Sequence, residues 1–331
     1  MADISEFLKH CYNPAIIDMF SKANRYINNH FNVVVSISGG SDSDIVMDIV
    51  EKVRDPEVKV TYVFFDTGVE YQATKRQLDY LEERYGVRIE RERAEKVIPL
   101  CIKDYGVPFM SKLISKYVEQ GQIHGFDWDY NKTEEQVTKE VGKTFAKWWC
   151  NVGTFRSYRI DYYPGLKAFL SENPPDYKIS ASCCHYAKKN TANKFRKRMN
   201  ADLEVYGVRK AEGGIRSGAY KSCYGESENG IDRYRPIWWF TDDDKREYEQ
   251  MFEIHHSDCY TKYGLKRTGC VGCPFGRDVL GELDAIKENE PKLYNACMHM
   301  FGKSYEYKRK LLEFRQRLKN KDQISLFDIE D

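Results

Sequence analysis

A β-branched run, Val33-Val34-Val35-Ser36-Ile37, leads straight into Ser38-Gly39-Gly40-Ser41-Asp42-Ser43, and an apolar segment of amphipathic spacing, Ile45 to Val53, follows. A strand, a Gly-rich turn and a helix start together make an anion site. Gly39 and Gly40 let the backbone approach a phosphate, and the first amides of the helix point at it. Ser38, Ser41 and Ser43 add hydroxyl donors. No Gly-Lys-Ser/Thr follows, so this is not a Walker A loop. Asp44 sits one residue past the loop. A carboxylate there repels phosphate unless it binds a metal ion or turns away.

A second chemistry-bearing stretch is Asp66-Thr67-Gly68-Val69-Glu70, which closes the apolar run Lys59 to Phe65. Carboxylates at a strand's C-terminal edge can bind Mg²⁺ or a ribose hydroxyl. The alternative is a strand-end turn with a helix cap at Thr67. The third is the cysteine set: adjacent Cys183 and Cys184, and Cys270-Val271-Gly272-Cys273 about 85 residues further on. Four thiolates suffice for a [4Fe–4S] cluster or a zinc ion. Adjacent side chains diverge and suit a cuboidal cluster better than one ion. Cys259 competes as a ligand, and Cys223 and Cys297 are in reserve, whereas Cys11, Cys101 and Cys150 read as isolated buried thiols.

The elements that must position these groups alternate. Strands are expected at Val33–Ile37, Lys59–Phe65, Val87–Arg91, Lys178–Ala181 and Glu204–Val208. Helices are expected at Tyr71–Tyr85, Pro108–Glu119, Glu134–Trp149 and His185–Met199. This rhythm predicts an α/β fold: an open, mostly parallel twisted sheet with helices on both faces and a helical C-terminal region. Ligands in such folds sit beyond the C-terminal strand ends. The expected organisation is a helical lead-in over 1–31 and a nucleotide-binding domain over 32–240 with a lid or insertion at about 120–175. A helical cysteine-bearing region over 241–319 and a flexible tail over 320–331 complete it.

The chain has 331 residues and a net charge of +1, which excludes a globally basic nucleic-acid binder. There is no long apolar run and no signal-peptide pattern, so no membrane association and a cytoplasmic setting are expected. Ten cysteines in that setting are not a disulfide framework.

The loop Ser38, Gly39, Gly40, Asp42, Ser43 resembles the SGGxDS pyrophosphate loop of the PP-loop (N-type) ATP pyrophosphatase superfamily. Relatives often carry Lys where Ser41 sits and Ser or Thr where Asp44 sits. Asp66-Thr67-Gly68-Val69-Glu70 and Gly106-Val107-Pro108-Phe109-Met110-Ser111-Lys112 resemble elements of its phosphoadenosine phosphosulfate (PAPS) reductase branch. Gly207-Val208-Arg209-Lys210-Ala211-Glu212-Gly213-Gly214-Ile215-Arg216 and Pro236-Ile237-Trp238-Trp239 do so more weakly. The resemblance spans roughly residues 30–280 and implies an adenine nucleotide α-hydrolase-like fold. It implies ATP held by Ser38 to Ser43, and Mg²⁺ or ribose at Asp42, Asp66 and Glu70. Lys188, Arg209 and Arg216 would balance phosphoryl charge, with Glu212 orienting an arginine. The cysteine pattern is similar to the CC…CxxC cluster motif of adenosine-phosphosulfate (APS) reductases, including Lys188 four residues after the second Cys. It implies a [4Fe–4S] cluster on Cys183, Cys184, Cys270 and Cys273, with Zn²⁺ as the alternative. DNA phosphorothioation enzymes of the DndC type also combine such a loop with a cluster.

Sulfonucleotide reductases of this branch use a cysteine in an E-C-G-x-H type segment, and no cysteine follows Cys297 here. They also tend to alter the loop, which is intact. The expectation is therefore ATP cleavage to AMP and pyrophosphate, linked to sulfur transfer. The alternatives are APS or PAPS reduction and a nucleotide sensor without turnover. Six cations between Lys188 and Arg198 are a candidate nucleic-acid contact or a solvated helix face. Trp128, Tyr130, Trp148 and Trp149 are stacking candidates or packing residues. A cysteine desulfurase is an expected type of sulfur donor. Gln323-Ile324-Ser325-Leu326-Phe327 resembles a sliding-clamp docking peptide.

Overall fold

A computed structural model describes Lys9 and residues 11–213, 218, 220–227 and 230–327, with residues 321–327 described by backbone alone. Arg216, one of the expected phosphate-gripping residues, lies outside the described residues. The chain divides into two compact units: Met1–Val97 with Tyr186–Val271 and Glu288–Glu290, and Ile98–His185 with Gly272–Lys287 and Pro291–Asp331.

The first unit holds a six-stranded sheet: β1 (Asn32–Ser36), β2 (Lys59–Asp66), β3 (Ile89–Arg93), β4 (Leu203–Tyr206), β5 (Tyr224–Gly225) and β6 (Asp232–Tyr234). The order is β3-β2-β1-β4-β6-β5. All neighbours are parallel except the β5–β6 pair. Side-chain alternation splits β1 between two layers. Val33 and Val35 join the large core formed with the helices Pro14–Asn28 and Ser41–Val53, while Val34 packs with Val63 and Phe195. Helices therefore cover both faces, which is why β1 reads as a continuous apolar run. Asn13 starts the helix Pro14–Asn28 by accepting from the Ala15 and Ile16 amides, and Gly86, in the left-handed region, ends Gln72–Tyr85. The helix after the loop departs from the amphipathic expectation. Residues 43–50 are all buried, including Asp44 and Asp48. Asp48 is satisfied by Lys52 at 2.5 Å, the Tyr85 hydroxyl at 2.9 Å and the Tyr248 hydroxyl at 2.6 Å.

The second unit has its own core, built on Phe109, Trp148, Trp149, Phe169 and, from the long helix Pro291–Phe327, Leu311 and Phe314. Trp148 and Trp149 are fully buried and Trp128 nearly so, which leaves only half-exposed Tyr130 of the four stacking candidates at the surface. The expected single helix Glu134–Trp149 is two, Glu134–Glu140 and Lys143–Trp149, parted where Gly142 takes φ 125°. The expected strand at Lys178–Ala181 is one parallel bridge, Val107 to Ile179. The expected helix His185–Met199 begins as a π-turn, His185–Asn190, and becomes α-helical over Thr191–Arg198. Residues 323–327 fall within the backbone of Pro291–Phe327. No described helix is long and apolar enough to cross a membrane.

Phe195 is fully buried and meets Phe65 edge-on at 5.9 Å. Phe195→Ala should cost about 3–5 kcal/mol, read as a lower urea midpoint at unchanged m-value.

Candidate nucleotide site

The Gly-rich loop leaves β1 between β2 and β4, where the sheet's connections switch direction, the usual ligand crevice of an open α/β sheet. Its shape is internal. The Ser43 hydroxyl donates to the Gly40 carbonyl at 2.7 Å and accepts from the Ser38 and Gly40 amides, each at 3.2 Å. The Ser38 hydroxyl donates to Ser43 Oγ at 3.1 Å. Gly40 then caps the helix, its carbonyl accepting from Ser43 and Asp44. Two positions admit only glycine. Gly39 has φ 65°, and a Cβ there would lie 2.8 Å from Thr74 Cγ2. A Cβ on Gly207, just past β4, would lie 2.7 Å from the Asp42 carbonyl.

The first turn carries two carboxylates with opposite fates. Asp42 faces cations: Lys245 Nζ at 2.7 Å from Oδ1 and Arg209 Nε at 3.3 Å, while Arg209 Nη1 also reaches Asp242 at 2.7 Å. Burial pushes the Asp42 carboxyl up, but a hydrogen bond with Glu212 and the Lys245 and Arg209 charges hold it below its usual value. Asp44 turns away from the loop and is fully buried. Its Oδ2 accepts from Gln77 Nε2 at 3.0 Å and pairs with His256 Nδ1 at 2.9 Å, and His256 Nε2 meets Glu249 Oε1 at 2.8 Å. Burial alone lowers the His256 pKa; hydrogen bonds and charges from Asp44 and Glu249 outweigh it and push it up to about 9. For Asp44 the balance goes the other way: burial outweighs the lowering by His256 and Gln77 and leaves its carboxyl above the usual value. The Tyr260 hydroxyl adds a further clamp, accepting from the Ser41 amide at 3.2 Å and the Thr268 amide at 3.3 Å.

Beside the loop lies a cavity of ≈ 690 Å³, bounded by Ser38, Phe65, Glu70, Lys188, Tyr206 and Tyr220 among others. This volume suits a nucleotide-sized ligand. Glu70 is folded back onto its own turn, with Oε1 accepting from the Thr67 amide at 2.9 Å and the Thr67 hydroxyl. Its Oε2 is buried with no partner, and burial raises its pKa. Asp66 caps Gly68 at 2.8 Å and stands 3.8 Å from Arg93. A second cavity of ≈ 960 Å³ shares Asn193, Arg196, Tyr220 and Arg233 with the first and adds Lys197 and Lys221.

Residues 32–120 match the family model described as the phosphoadenosine phosphosulfate reductase domain. That PAPS reductase segment contains the loop, β1 to β3 and the Asp66–Glu70 turn. Over 289 residues the chain is 25% identical to an uncharacterized protein of Methanocaldococcus jannaschii, covering 85% of this chain and 45% of the relative. The chain thus spans less than half the length of the curated relative it matches. Among solved structures, PAPS reductase from Candida auris in a phosphate complex has TM-score 0.40 at 13% identity, over 78% of this chain and 96% of that one. The U34-tRNA thiolase NcsA from Methanococcus maripaludis with its [4Fe–4S] cluster has TM-score 0.39 at 14% identity, over 90% and 78%. NH₃-dependent NAD synthetase from Campylobacter jejuni has TM-score 0.33 at 14% identity, over 89% and 94%. At these scores the three structures bear on no residue of this chain.

Outside that PAPS reductase segment, Arg209 reaches the loop, where it is paired with Asp42 and Asp242, and Lys188 lines the cavity. The other cations of the basic run are largely paired: Lys194 with Glu95, Arg196 with Glu204, and Arg198 bidentate with Glu92. Cys183, Cys184, Cys273 and Cys297 belong to the second unit, Cys259 and Cys270 to the first. Cys270 is bridged to Glu70 and lies 3.6 Å from the Thr67 hydroxyl, while Cys259 is fully buried. Among the described residues no three Cys, His, Asp or Glu side chains are grouped to hold a metal ion. The cysteine set therefore stands on its spacing alone. Lys245, Glu249, His256 and Tyr260 carry no motif; the one sequence sign of them is Asp44, a carboxylate needing a partner.

Because the folded-state pKa of His256 lies above its ordinary 6.5, the stabilisation is complete below that pH and is lost as pH rises through about 9. The melting temperature of the wild type should fall across that window. His256→Ala should melt lower at the acidic end and lose that part of the slope.

Proposed function

We propose that this protein is an ATP pyrophosphatase, cleaving ATP to AMP and pyrophosphate to activate an acceptor for sulfur transfer. One observation carries the reading: an intact, internally braced Gly-rich loop opening a buried helix beside a nucleotide-sized cavity, with Arg209 and Lys188 close by. In this reading the amides of Gly39 and Asp42, with the positive end of the loop helix, hold the β- and γ-phosphates, and the cavity takes the nucleoside. An acceptor oxygen attacks the α-phosphorus, the bond to the bridging oxygen breaks, and pyrophosphate leaves with that electron pair. Lys188 and Arg209 offset the charge that develops, with Arg216 in the same role by motif. A sulfur nucleophile then displaces AMP from the activated acceptor. With a cysteine persulfide from a desulfurase as that nucleophile, the acceptor is left joined through S–S to the donor's cysteine; a second thiol then attacks the cysteine sulfur, forming a disulfide and leaving the terminal sulfur on the acceptor.

Mg²⁺ fits the residues present at one point, the unpartnered, buried Glu70 Oε2, with Asp66 at the same turn. Held there, it would neutralise phosphate charge. Asp42 instead fixes two cations. A [4Fe–4S] cluster on Cys183, Cys184, Cys270 and Cys273, or Zn²⁺ there with Cys259 as a competing ligand, belongs to this reading through sequence spacing, and no step is assigned to it. The basic cavity continuing from the nucleotide cavity favours a nucleic-acid acceptor. A DndC-like branch and a cytoplasmic setting are part of the same proposal.

Purified protein should release pyrophosphate from ATP when acceptor and sulfur donor are present. Asp42→Ala and Arg209→Ala should each lower that rate by about a hundredfold or more. Sulfite release from APS or PAPS with thioredoxin, without pyrophosphate, would establish the reductase instead; tight ATP binding with no turnover would establish a sensor. Anaerobic purification should give brown protein containing iron and acid-labile sulfide, with the colour lost in Cys270→Ser and kept in Cys11→Ser. Colourless protein containing zinc would remove the cluster.

A further inference from the structure

Lys245 lies 203 residues from Asp42 in sequence, yet its Nζ sits 2.5 Å from the Ser41 hydroxyl and 2.7 Å from Asp42 Oδ1. It rises from the first turn of the helix Asp242–Met251, which Thr241 and Asp244 start with reciprocal capping bonds. The side chain is only 14% exposed. Its far side is tethered too: Glu249 Oε1, one turn on, lies 3.7 Å from Nζ and is itself held by His256, which closes back onto Asp44. The ammonium is thus suspended between two carboxylates, against the residue whose amide opens the loop helix. Lys245 is the nearer of Asp42's two cations, at 2.7 Å against 3.3 Å for Arg209, and it also reaches the Ser41 hydroxyl.

We propose that Lys245 is the phosphate-neutralising residue of the Gly-rich loop, a cation delivered by the helix Asp242–Met251 to the place where the loop itself carries the uncharged Ser41. The inference rests on reading the loop as a polyphosphate site. An incoming pyrophosphate group brings several negative oxygens to the start of the loop helix. Helix-terminal amides supply only partial positive charge there, and a full charge within hydrogen-bonding reach adds a charge-assisted bond. Glu249 and His256 act as positioning residues: they hold Nζ at the loop without touching the ligand.

The test is calorimetric binding of inorganic pyrophosphate, ATP and adenosine to the full chain and its variants. Lys245→Met should weaken pyrophosphate and ATP by about tenfold or more, leave adenosine unchanged, and be largely rescued by Lys245→Arg. Ser41→Lys in the Lys245→Met background should restore pyrophosphate binding, because the charge returns to the same place from the loop itself. Lys245→Gln guards against loss of folding in the Met variant and should show the same selective loss. Equal pyrophosphate affinity in wild type and variants would overturn the role of Lys245. So would an equal loss for adenosine, which marks a purely structural residue. A wild-type protein that binds neither pyrophosphate nor ATP would overturn the polyphosphate reading of the loop, and this inference with it.

Discussion

Burying the first turn of the helix Ser41–Val53 sets the terms for everything around it. That turn carries Asp42 and Asp44, and a carboxylate removed from water is costly unless charge and hydrogen bonds meet it. Near a helix N-terminus the macrodipole offsets part of the cost. The remainder falls to Lys245 and Arg209 for Asp42, and to His256 and Gln77 for Asp44. Those partners come from Gln72–Tyr85, from the segment after β4 and from residues 242–256. Compensating two charges therefore fixes three separate pieces of chain around one loop.

The same constraint explains the loop's use of its own hydroxyls. Ser38 and Ser43 are spent on holding the turn, so the loop keeps its shape before any ligand arrives. Preorganised amides cost nothing to orient when charge appears. Close approach does the rest: Thr74 against Gly39 and the Asp42 backbone against Gly207 leave no room for a Cβ at either glycine. The cavity beside the loop is walled by the C-terminal ends of β1, β2 and β4, because parallel strands bring those ends to one edge.

Much of this was legible in residue order. A β-branched run ending in Ser-Gly-Gly-Ser-Asp-Ser identified the strand, the turn and the helix start, because each is a local property of consecutive residues. Motifs singled out Arg209 and Lys188, and the fold places the first at the loop and the second in the cavity wall. Glu70 was half legible: both the turn and the cavity wall are there, with Oε1 serving the first and Oε2 left without a partner. The helix 134–149 was misread because Gly142 at φ 125° breaks it without breaking the apolar pattern. Residues 178–181 have strand composition, but only Ile179 finds a partner, and pairing is decided by what lies alongside.

Sequence by itself determined the kind of loop and the alternating α/β order, since hydrophobic period and turn chemistry are written along the chain. Tertiary structure alone decided where the charges go. Asp44 reads as a carboxylate set against phosphate; folded, it faces away, neutralised by a histidine 212 positions later. Ser41 reads as a loop without its own cation; folded, Lys245 stands against it. Coulombic attraction acts through space and is strong only where water is excluded, so no spacing between neighbours in the chain could have announced either pair.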